Sequence, residues 1–462
     1  MNDKPTRIAI IGGGFSGAMT ALHLLRNTKQ NLSITIFEPR PVIGRGLAYS
    51  TVCDGHLLNV PAGGMSAYAD DPGHFLRYAT TRDATADERT FVPRMIFGDY
   101  ITGMVREAIE QGNSNSSVKH VTETVLDVRK KDTGFEIEVS GKKTFEADQV
   151  ILALGNMGGR KPRWLQNVPA IADHYLHDPW QPGAIESIGL DEDILLIGTG
   201  LTAVDKMIEL EVKGHRGKIY AASRHGLLPR PHVARYVGLK NQAEIVPGNA
   251  LKAFKSLRAQ VVSNEAAGGD QDSWRLVFDG MRAETQNWWQ SLSLAEQKRF
   301  LRHLRTYYDV HRHRMAPHIG EIVDSLAKSE QLRVLAARME SVEADNGRFK
   351  VTLKNRHNGQ TVILTVDRMI NCTGPQANID AIESPLLRTI VGSGLAGRNT
   401  MGSGLAVTKT GQVLNQEGNP VYGLYAIGPL LISKLLESVA VPELRVQVAS
   451  LADLVLSEAA TA

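Results

Sequence analysis

The sequence predicts an α/β fold in which parallel sheets are accompanied by antiparallel β ribbons and a helical insertion. Residues 7–17 and residues 193–205 each read as an apolar strand that runs directly into a glycine-rich turn and a helix. Residues 250–328 have helical periodicity. Strands that alternate with helices form parallel sheets, and a glycine-rich turn between strand and helix is typical of a dinucleotide site. The chain therefore predicts two dinucleotide-binding domains of the Rossmann type.

The first glycine-rich turn has the residue types that a dinucleotide requires. Gly12 permits the tight turn, Gly14 lets the backbone approach a pyrophosphate, and Gly17 lets the helix pack against the strand. The helix N-terminus would direct its N–H groups at the phosphates. The next strand, residues 33–37, ends at Glu38, where an acid that binds the ribose is expected. These features together predict a nucleotide site rather than a bare turn.

The second turn repeats the pattern but has a different strand end. The residues predicted to hold a nucleotide there are Gly198, Gly200, Leu201, Thr202, Ala203, Ser223 and Arg224. Ser223 and Arg224 stand where an acid would otherwise bind the ribose 2′-hydroxyl. A hydroxyl with a guanidinium suits a 2′-phosphate, which selects NADPH over NADH. The alternative is that Arg224 is only a solvated loop arginine.

Composition excludes several classes of partner. The chain has 52 Lys and Arg against 49 Asp and Glu, so nothing indicates binding to nucleic acid or to an anionic membrane. No apolar run is long enough to span a bilayer, and the first residues lack a signal-peptide pattern. Cys53 and Cys372 are far apart and form no CxxC motif, which suits a reducing compartment. We therefore expect a cytoplasmic protein, and the sequence leaves a homo-oligomer open.

The strand pattern predicts three parts. Apolar strands ending at Gly155 and Gly374 each follow an antiparallel ribbon and look equivalent. We expect a first dinucleotide-binding domain that begins with residues 1–165, a second over 188–335 that contains the helical insertion, and a return to the first domain over 340–462.

A loop rich in glycine and proline follows Glu38 and extends to Ser66. Long irregular connections inside a compact domain are often functional. The loop is either a surface excursion or a segment that wraps the ring end of the cofactor held by the first turn. We favour the second interpretation because the loop follows the glycine turn so closely.

Three histidines, His311, His313 and His318, lie close together in the sequence. Residues two apart do not share a helix face, and no carboxylate or thiol completes a coordination set. The pattern predicts no metal site. Salt bridges or contacts with bound phosphates are the expected roles.

Taken together, these motifs resemble the flavoproteins with two dinucleotide-binding domains, along nearly the whole chain. More narrowly, residues 46–50, 56–61, 198–203 and 441–445 resemble bacterial FAD/NAD(P)-binding proteins related to flavin-dependent N-hydroxylating monooxygenases. The resemblance implies that the first turn holds FAD and the second holds NADPH.

The resemblance also assigns residues to FAD. Glu38 would bind the adenosine ribose, Val125 would contact adenine, and Asn59 with the backbone at Val60 would lie near the flavin ring. Pro429 departs from the Gly-Asp common in the wider superfamily, which removes a carboxylate that binds the ribityl chain. The implied FAD residues are Gly12, Gly14, Phe15, Ser16, Gly17, Glu38, Pro39, Arg40, Asn59, Val60, Val125, Gly155, Gly428, Pro429 and Leu430.

The leading functional hypothesis from this resemblance is an NADPH-dependent monooxygenase. It would oxidise a small nitrogen- or sulfur-containing compound with molecular oxygen through a C4a-hydroperoxyflavin. Such chemistry needs water exclusion and hydrogen-bond donors, for which Arg45, Asn59 and Ser66 are the candidates. The alternative is an oxidoreductase that passes electrons to a quinone, a protein or an organic acceptor without oxygen insertion. A flavin-binding sensor without turnover is the third class.

Overall fold

The structure is a computed structural model that describes residues 4–28, 30–111, 116–233, 243–267 and 272–459. The strands are β1 Thr6–Ile11, β2 Leu32–Phe37, β3 Ser117–Val121, β4 Val125–Lys130, β5 Phe135–Val139, β6 Thr144–Ala147, β7 Gln149–Leu152, β8 Tyr175–Leu176, β9 Ile194–Ile197, β10 Ile219–Ser223, β11 Leu332–Asp345, β12 Arg348–Asn355, β13 Thr361–Val366, β14 Arg368–Asn371, β15 Gln412–Leu414 and β16 Pro420–Ala426.

The α-helices are α1 Phe15–Asn27, α2 His74–Arg82, α3 Arg94–Gln111, α4 Leu201–Val212, α5 Ala250–Ala266, α6 Ser273–Gly280, α7 Thr285–Ser291, α8 Leu294–His303, α9 Arg305–Arg312, α10 Pro317–Lys328, α11 Pro385–Gly392 and α12 Val441–Ala459. No helix in the described ranges is both long and apolar enough to cross a lipid bilayer.

The chain divides into two compact units. Unit 1 contains Met1–Val52, Val60–Gly159 and Gln376–Ala462, and unit 2 contains Cys53–Asn59 and Arg160–Pro375. Both units contain parallel strands and an antiparallel hairpin or ribbon. The predicted α/β class is therefore confirmed.

Unit 1 is built on a six-stranded sheet in the order β15-β16-β7-β1-β2-β3. The central strand β1 pairs in parallel with β2 on one side and β7 on the other. All four residues of β7 are buried, as a strand with both faces covered must be. A separate sheet of β4, β5 and β6 precedes β7 and forms the predicted ribbon. The carboxyl ends of β1, β2 and β7 thus meet at one edge.

Unit 2 is built on a seven-stranded sheet in the order β13-β12-β11-β10-β9-β14-β8. The long strand β11 has two partners in succession: residues 332–336 pair in parallel with β10, and residues from Ala337 onward pair antiparallel with β12. One strand therefore joins the parallel part of the sheet to the β12–β13 hairpin. This junction lies at the carboxyl end of β10, where the second nucleotide site is expected.

The sequence predicts that the chain returns to the first domain at residue 340, and this boundary is wrong. The strand β14 pairs in parallel with β9, and β11 pairs with β10, so residues 340–375 belong to unit 2. The return begins at Gln376. Sequence reasoning correctly found that the strands before Gly155 and Gly374 are equivalent, since each joins a first strand in parallel. It could not tell which of two similar sheets each strand completes.

The helical insertion over 250–328 is confirmed, with helices α5 to α10 between β10 and β11. Its core is aromatic: the ring of the fully buried Phe300 packs edge-on against Trp288, Trp289 and Tyr308. Edge-to-face aromatic pairs add to the stabilisation from apolar burial. The insertion thus has a core of its own that can support α9 at the second nucleotide turn.

Candidate functional site

The first glycine turn is closed by backbone contacts that only glycine permits. Gly12 has φ of +104°, and a Cβ there would lie 2.2 Å from the carbonyl oxygen of Ala153, in the loop after β7. A Cβ on Gly17 would lie 1.9 Å from the Gly12 carbonyl oxygen. Both positions therefore exclude any side chain. The tight packing brings the N-terminus of α1 to the carboxyl edge of the sheet, where it can face an anion.

Glu38 is the acidic group at this turn. The side chain is 5% exposed, and its Oε2 accepts a hydrogen bond from the Gly13 N–H at 2.9 Å. Its Oε1 accepts from the Arg40 N–H at 3.1 Å. A carboxylate has about four acceptor positions, so each oxygen retains capacity for a ribose hydroxyl. The position at the end of β2 is the one that the sequence predicts.

The loop after Glu38 packs directly on the turn. The Gly44 N–H donates to the Gly13 carbonyl at 2.7 Å, and a Cβ on Gly14 would lie 3.3 Å from the Gly46 Cα. Arg45 forms an ion pair with Asp99 of α3. The loop is therefore held against the glycine turn and α3.

The C-terminal part of unit 1 reaches the same place. Gly428, with φ of +78°, opens a short 3-10 helix over Gly428–Leu431, and a Cβ there would lie 3.5 Å from the Ser16 hydroxyl of α1. The predicted residues at 16 and 428 are thus neighbours. Val125 and Leu430 are 5% and 2% exposed and lie in the hydrophobic core. Their contact with FAD stays a prediction.

The three catalytic candidates have different environments. Ser66 is fully buried, its hydroxyl donates to the Asp71 carbonyl at 2.5 Å, and it accepts from the Tyr68 N–H at 3.2 Å. These bonds give Ser66 a structural role. Asn59 lies in unit 2, where its carbonyl accepts from His232 Nε2 at 3.1 Å. Arg45 is the ion-paired residue of the loop over the first turn.

The second glycine turn is built like the first. Gly198 has φ of +115°, and a Cβ there would lie 2.3 Å from the Cys372 carbonyl oxygen, in the segment after β14. Helix α4 begins at Leu201, directly after Gly200. Ala203, in the third position of the motif, is fully buried. The N-terminus of α4 is thereby positioned for a phosphate in unit 2.

A cavity of about 590 Å³ opens at this turn. Apart from Ala203, all the predicted NADPH residues line it: Gly198, Gly200, Leu201, Thr202, Ser223 and Arg224. Arg224 is exposed to solvent. The structure therefore brings together the two sequence stretches that were predicted to bind one nucleotide.

Sequence reasoning missed a second wall of the cavity. Helix α9 and the residue after it contribute Thr306, Asp309, Val310 and His313. Their spacing of three and four residues places them on a single helix face. This spacing is visible in the sequence and could have predicted these residues. His225 and Arg338 also line the cavity, and the sequence motifs did not predict them.

The three histidines do not form a cluster. His313 lines the cavity and lies 3.6 Å from Asp309, whereas His318 is exposed and lies 3.4 Å from Glu321. His311 stacks on Phe278 with ring centroids 5.1 Å apart. Within the described ranges, no group of His, Cys, Asp and Glu could hold a metal ion. His313 alone is placed where a bound nucleotide could reach it.

Neither cysteine is in a disulfide. Cys372 is 3% exposed, and burial raises the pKa of its thiol well above the usual range. Burial also raises the pKa of the Cys53 thiol. Thiol exchange requires the thiolate, which a raised pKa disfavours.

Comparison with known proteins supports this description. Residues 9–157 match the family model described as FAD-NAD(P)-binding. A search of the curated proteins gives no significant match.

Solved structures match over nearly the whole length. L-lysine 6-monooxygenase from Pseudomonas syringae is 15% identical with a TM-score of 0.65, covering 98% of this chain and 99% of that one. The ornithine N-hydroxylase of Kutzneria sp. 744, solved with reduced FAD, NADP⁺ and L-ornithine, is 14% identical with a TM-score of 0.60 and coverages of 98% and 99%. The bacillithiol disulfide reductase of Staphylococcus aureus is 14% identical with a TM-score of 0.57 and coverages of 98% and 99%.

We expect Gly17→Ala to destabilise unit 1 strongly. The new methyl group would overlap the Gly12 carbonyl, and overpacking of this kind costs about 1–3 kcal/mol or more. Gly103→Ala is the matched control, since a Cβ at that position of α3 meets nothing within 4 Å and alanine favours a helix by up to about 1 kcal/mol. Urea unfolding of both variants measures the difference. Equal stabilities would contradict the close approach.

His232 should make the protein sensitive to acid. Burial, followed by the charge of Arg314, lowers the pKa of His232 from 6.5 to about 4. Unfolding therefore takes up a proton as the pH falls through 6.5 towards 4, and the folded state loses up to about 3 kcal/mol over that range. His232→Gln keeps an N–H donor without a titrating charge and should lose less stability.

Urea unfolding at a series of pH values measures this effect, and His318→Gln, at an exposed ion pair, is the control. If the wild type and His232→Gln lost the same stability with acid, His232 would not be the source of the acid sensitivity.

The predicted resemblance is thus confirmed at the level of the fold: residues 9–157 match the FAD-NAD(P)-binding family model, and the whole chain shares its fold with solved flavoenzymes.

Proposed function

We propose that the protein is an NADPH-dependent, FAD-containing monooxygenase that oxidises a small nitrogen- or sulfur-containing compound. The observation that carries the proposal is the presence of two separate glycine turns, one in each unit, with different chemistry at the following strand end. One has a carboxylate at Glu38, and the other opens to a cavity with Arg224 at its wall. Two dinucleotides of different charge fit this difference.

The residues around the first turn fit FAD. The glycine backbone and the N-terminus of α1 would hold the pyrophosphate, and Glu38 would accept hydrogen bonds from the adenosine ribose. The position of Gly428 beside Ser16 supports a phosphate contact from the C-terminal segment as well. Bound FAD would supply electron transfer and oxygen activation, which amino acid side chains do not provide.

The residues around the second turn fit NADPH. The strand β10 ends at Ser223 and is followed by Arg224, so no acidic residue stands at this strand end. The exposed guanidinium of Arg224 can therefore bind a phosphate. The N-terminus of α4 would hold the pyrophosphate of this nucleotide.

The state of the cysteines argues against disulfide reduction. A protein of that class would need a reactive thiol, whereas burial of Cys372 and partial burial of Cys53 raise the pKa of both thiols. The similar monooxygenases from Pseudomonas syringae and Kutzneria act on lysine and ornithine according to their names. A small amine or sulfide is therefore the substrate class that we propose, with molecular oxygen as the second substrate and the cytoplasm as the location.

Arg45 and Asn59 remain the proposed catalytic groups. A guanidinium and an amide donate hydrogen bonds without delivering a strong acid, which suits a site that must exclude water and stray protons. The Ser66 hydroxyl is engaged with the backbone at residues 68 and 71, so its contribution to the site is to hold the loop.

We expect Arg224→Ala to weaken NADPH binding about tenfold or more and to leave NADH binding nearly unchanged. A charge-assisted hydrogen bond is worth about 1.5–3 kcal/mol, and each 1.4 kcal/mol is about a factor of ten. Titration of the FAD-loaded protein with each nucleotide measures both affinities. Arg216→Ala, in an exposed ion pair before β10, is the control. Equal losses for the two nucleotides would refute the 2′-phosphate assignment.

The reaction class can be tested by rapid absorbance spectroscopy. The FAD-loaded protein is reduced with NADPH and mixed with oxygen in the presence and absence of candidate amines and sulfides. A long-lived absorbance distinct from oxidised and reduced flavin is expected. Immediate reoxidation with one equivalent of peroxide, whatever compound is added, would contradict monooxygenation and favour electron transfer to a quinone, a protein or an organic acceptor.

A further inference from the structure

Three arginines converge at the carboxyl end of β10. Arg224 directly follows Ser223, which lies opposite Ala336 in the pairing of β10 with β11. Arg338 lies two residues further along β11. Arg356, just after β12, donates its backbone N–H to the Ala336 carbonyl at 2.8 Å. The bend of β11 from the parallel sheet into the hairpin therefore brings the β12–β13 turn to the second nucleotide site.

The side chain of Arg356 also reaches this point. Its Nη1 donates to the Arg224 carbonyl at 3.3 Å, and the residue is exposed. That contact uses one of the five N–H donors of a guanidinium. The loop that follows Arg224 packs closely on β11, because a Cβ on Gly226 would lie 2.7 Å from the Ala336 N atom. Arg356 is thus held beside the backbone of Arg224.

The charge at this point is positive. Arg338 is ion-paired with Glu340 at 3.1 Å. Burial lowers the pKa of His225, and the charges of Arg356 and Arg224 lower it further. Both arginines are therefore close enough to His225 for their charges to act on it. A position where two cations act together favours an anionic ligand.

The Ser223 hydroxyl is occupied by the loop itself. Its Oγ accepts the Gly226 N–H at 3.0 Å. The Thr199 hydroxyl lies 2.8 Å from that Oγ and 2.7 Å from the Leu227 carbonyl. In both contacts the Thr199 hydroxyl is the donor, so its single hydrogen is shared between the Ser223 oxygen and the Leu227 carbonyl. The Ser223 oxygen is thus held as an acceptor by its own loop and by the turn after β9.

We propose that Arg224 and Arg356 together bind the 2′-phosphate, and that the role of Ser223 is to anchor the loop through its oxygen. The ligand class is a ribose phosphate monoester. Arg356 is then a specificity-determining residue that comes from the β12–β13 turn, outside the nucleotide-binding motif. This assignment rests on the proposed use of NADPH, and it adds Arg356 to Arg224 as a second cation that binds the 2′-phosphate.

The test measures binding of two adenosine fragments to the purified full-length protein by titration calorimetry. One fragment is 2′,5′-ADP, and the other is ADP, which lacks the 2′-phosphate. Arg356→Ala should weaken 2′,5′-ADP about tenfold or more and leave ADP unchanged. Arg356→Lys should recover part of the loss, since lysine keeps the charge without the planar fork. Ser223→Ala should affect both fragments by the same factor.

Arg333→Ala is the matched control, because this exposed arginine lies on β11 but near the strand's start. It should bind both fragments like the wild type. Unchanged selectivity in Arg356→Ala, with selectivity lost in Arg224→Ala, would overturn the role of Arg356 and leave the proposed function standing. A selective loss of 2′,5′-ADP in Ser223→Ala would overturn the role given to Ser223. Equal affinity of the wild type for both fragments would instead refute the use of NADPH.

Discussion

Both units depend on one packing constraint at the glycine turn. The backbone of a glycine approaches a carbonyl group in the loop that follows the neighbouring parallel strand. In unit 1, Gly12 lies against the carbonyl of Ala153, and in unit 2, Gly198 lies against the carbonyl of Cys372. A Cβ would be 2.2 and 2.3 Å from these oxygens, so no other residue fits. The contact ties the strand, the turn and the neighbouring loop into one edge. The helix N-termini and the residues at the strand ends are positioned by that edge, and ligand chemistry follows from it.

The two units differ at the end of their second strand, and this difference separates their ligands. A buried carboxylate at Glu38 can accept hydrogen bonds from ribose hydroxyls, but it would repel a phosphate at the same position. The corresponding strand in unit 2 ends with Ser223 and Arg224, and the antiparallel hairpin adds Arg356. The same glycine turn is thus compatible with two dinucleotides of different charge.

The fold does not decide the reaction, since hydroxylases and a disulfide reductase share it with this chain. The reaction class is argued from side chains. The raised thiol pKa values of the partly buried Cys53 and the buried Cys372 oppose disulfide chemistry. The ion-paired Arg45 holds the loop over the first turn. The hydroxyl of Ser66 bonds to the backbone at residues 68 and 71, which ties this part of the loop together.

The sequence by itself determined the α/β class, both glycine turns and the acid or arginine at each strand end. These features are local: a tight turn needs glycine within a few residues, and that demand is visible in the chain. Only the tertiary structure decided which sheet β14 completes and that Arg356 meets Arg224, which lies 132 residues earlier. Strand pairing and charge clusters of this kind arise from contacts between distant residues, and no local pattern records them.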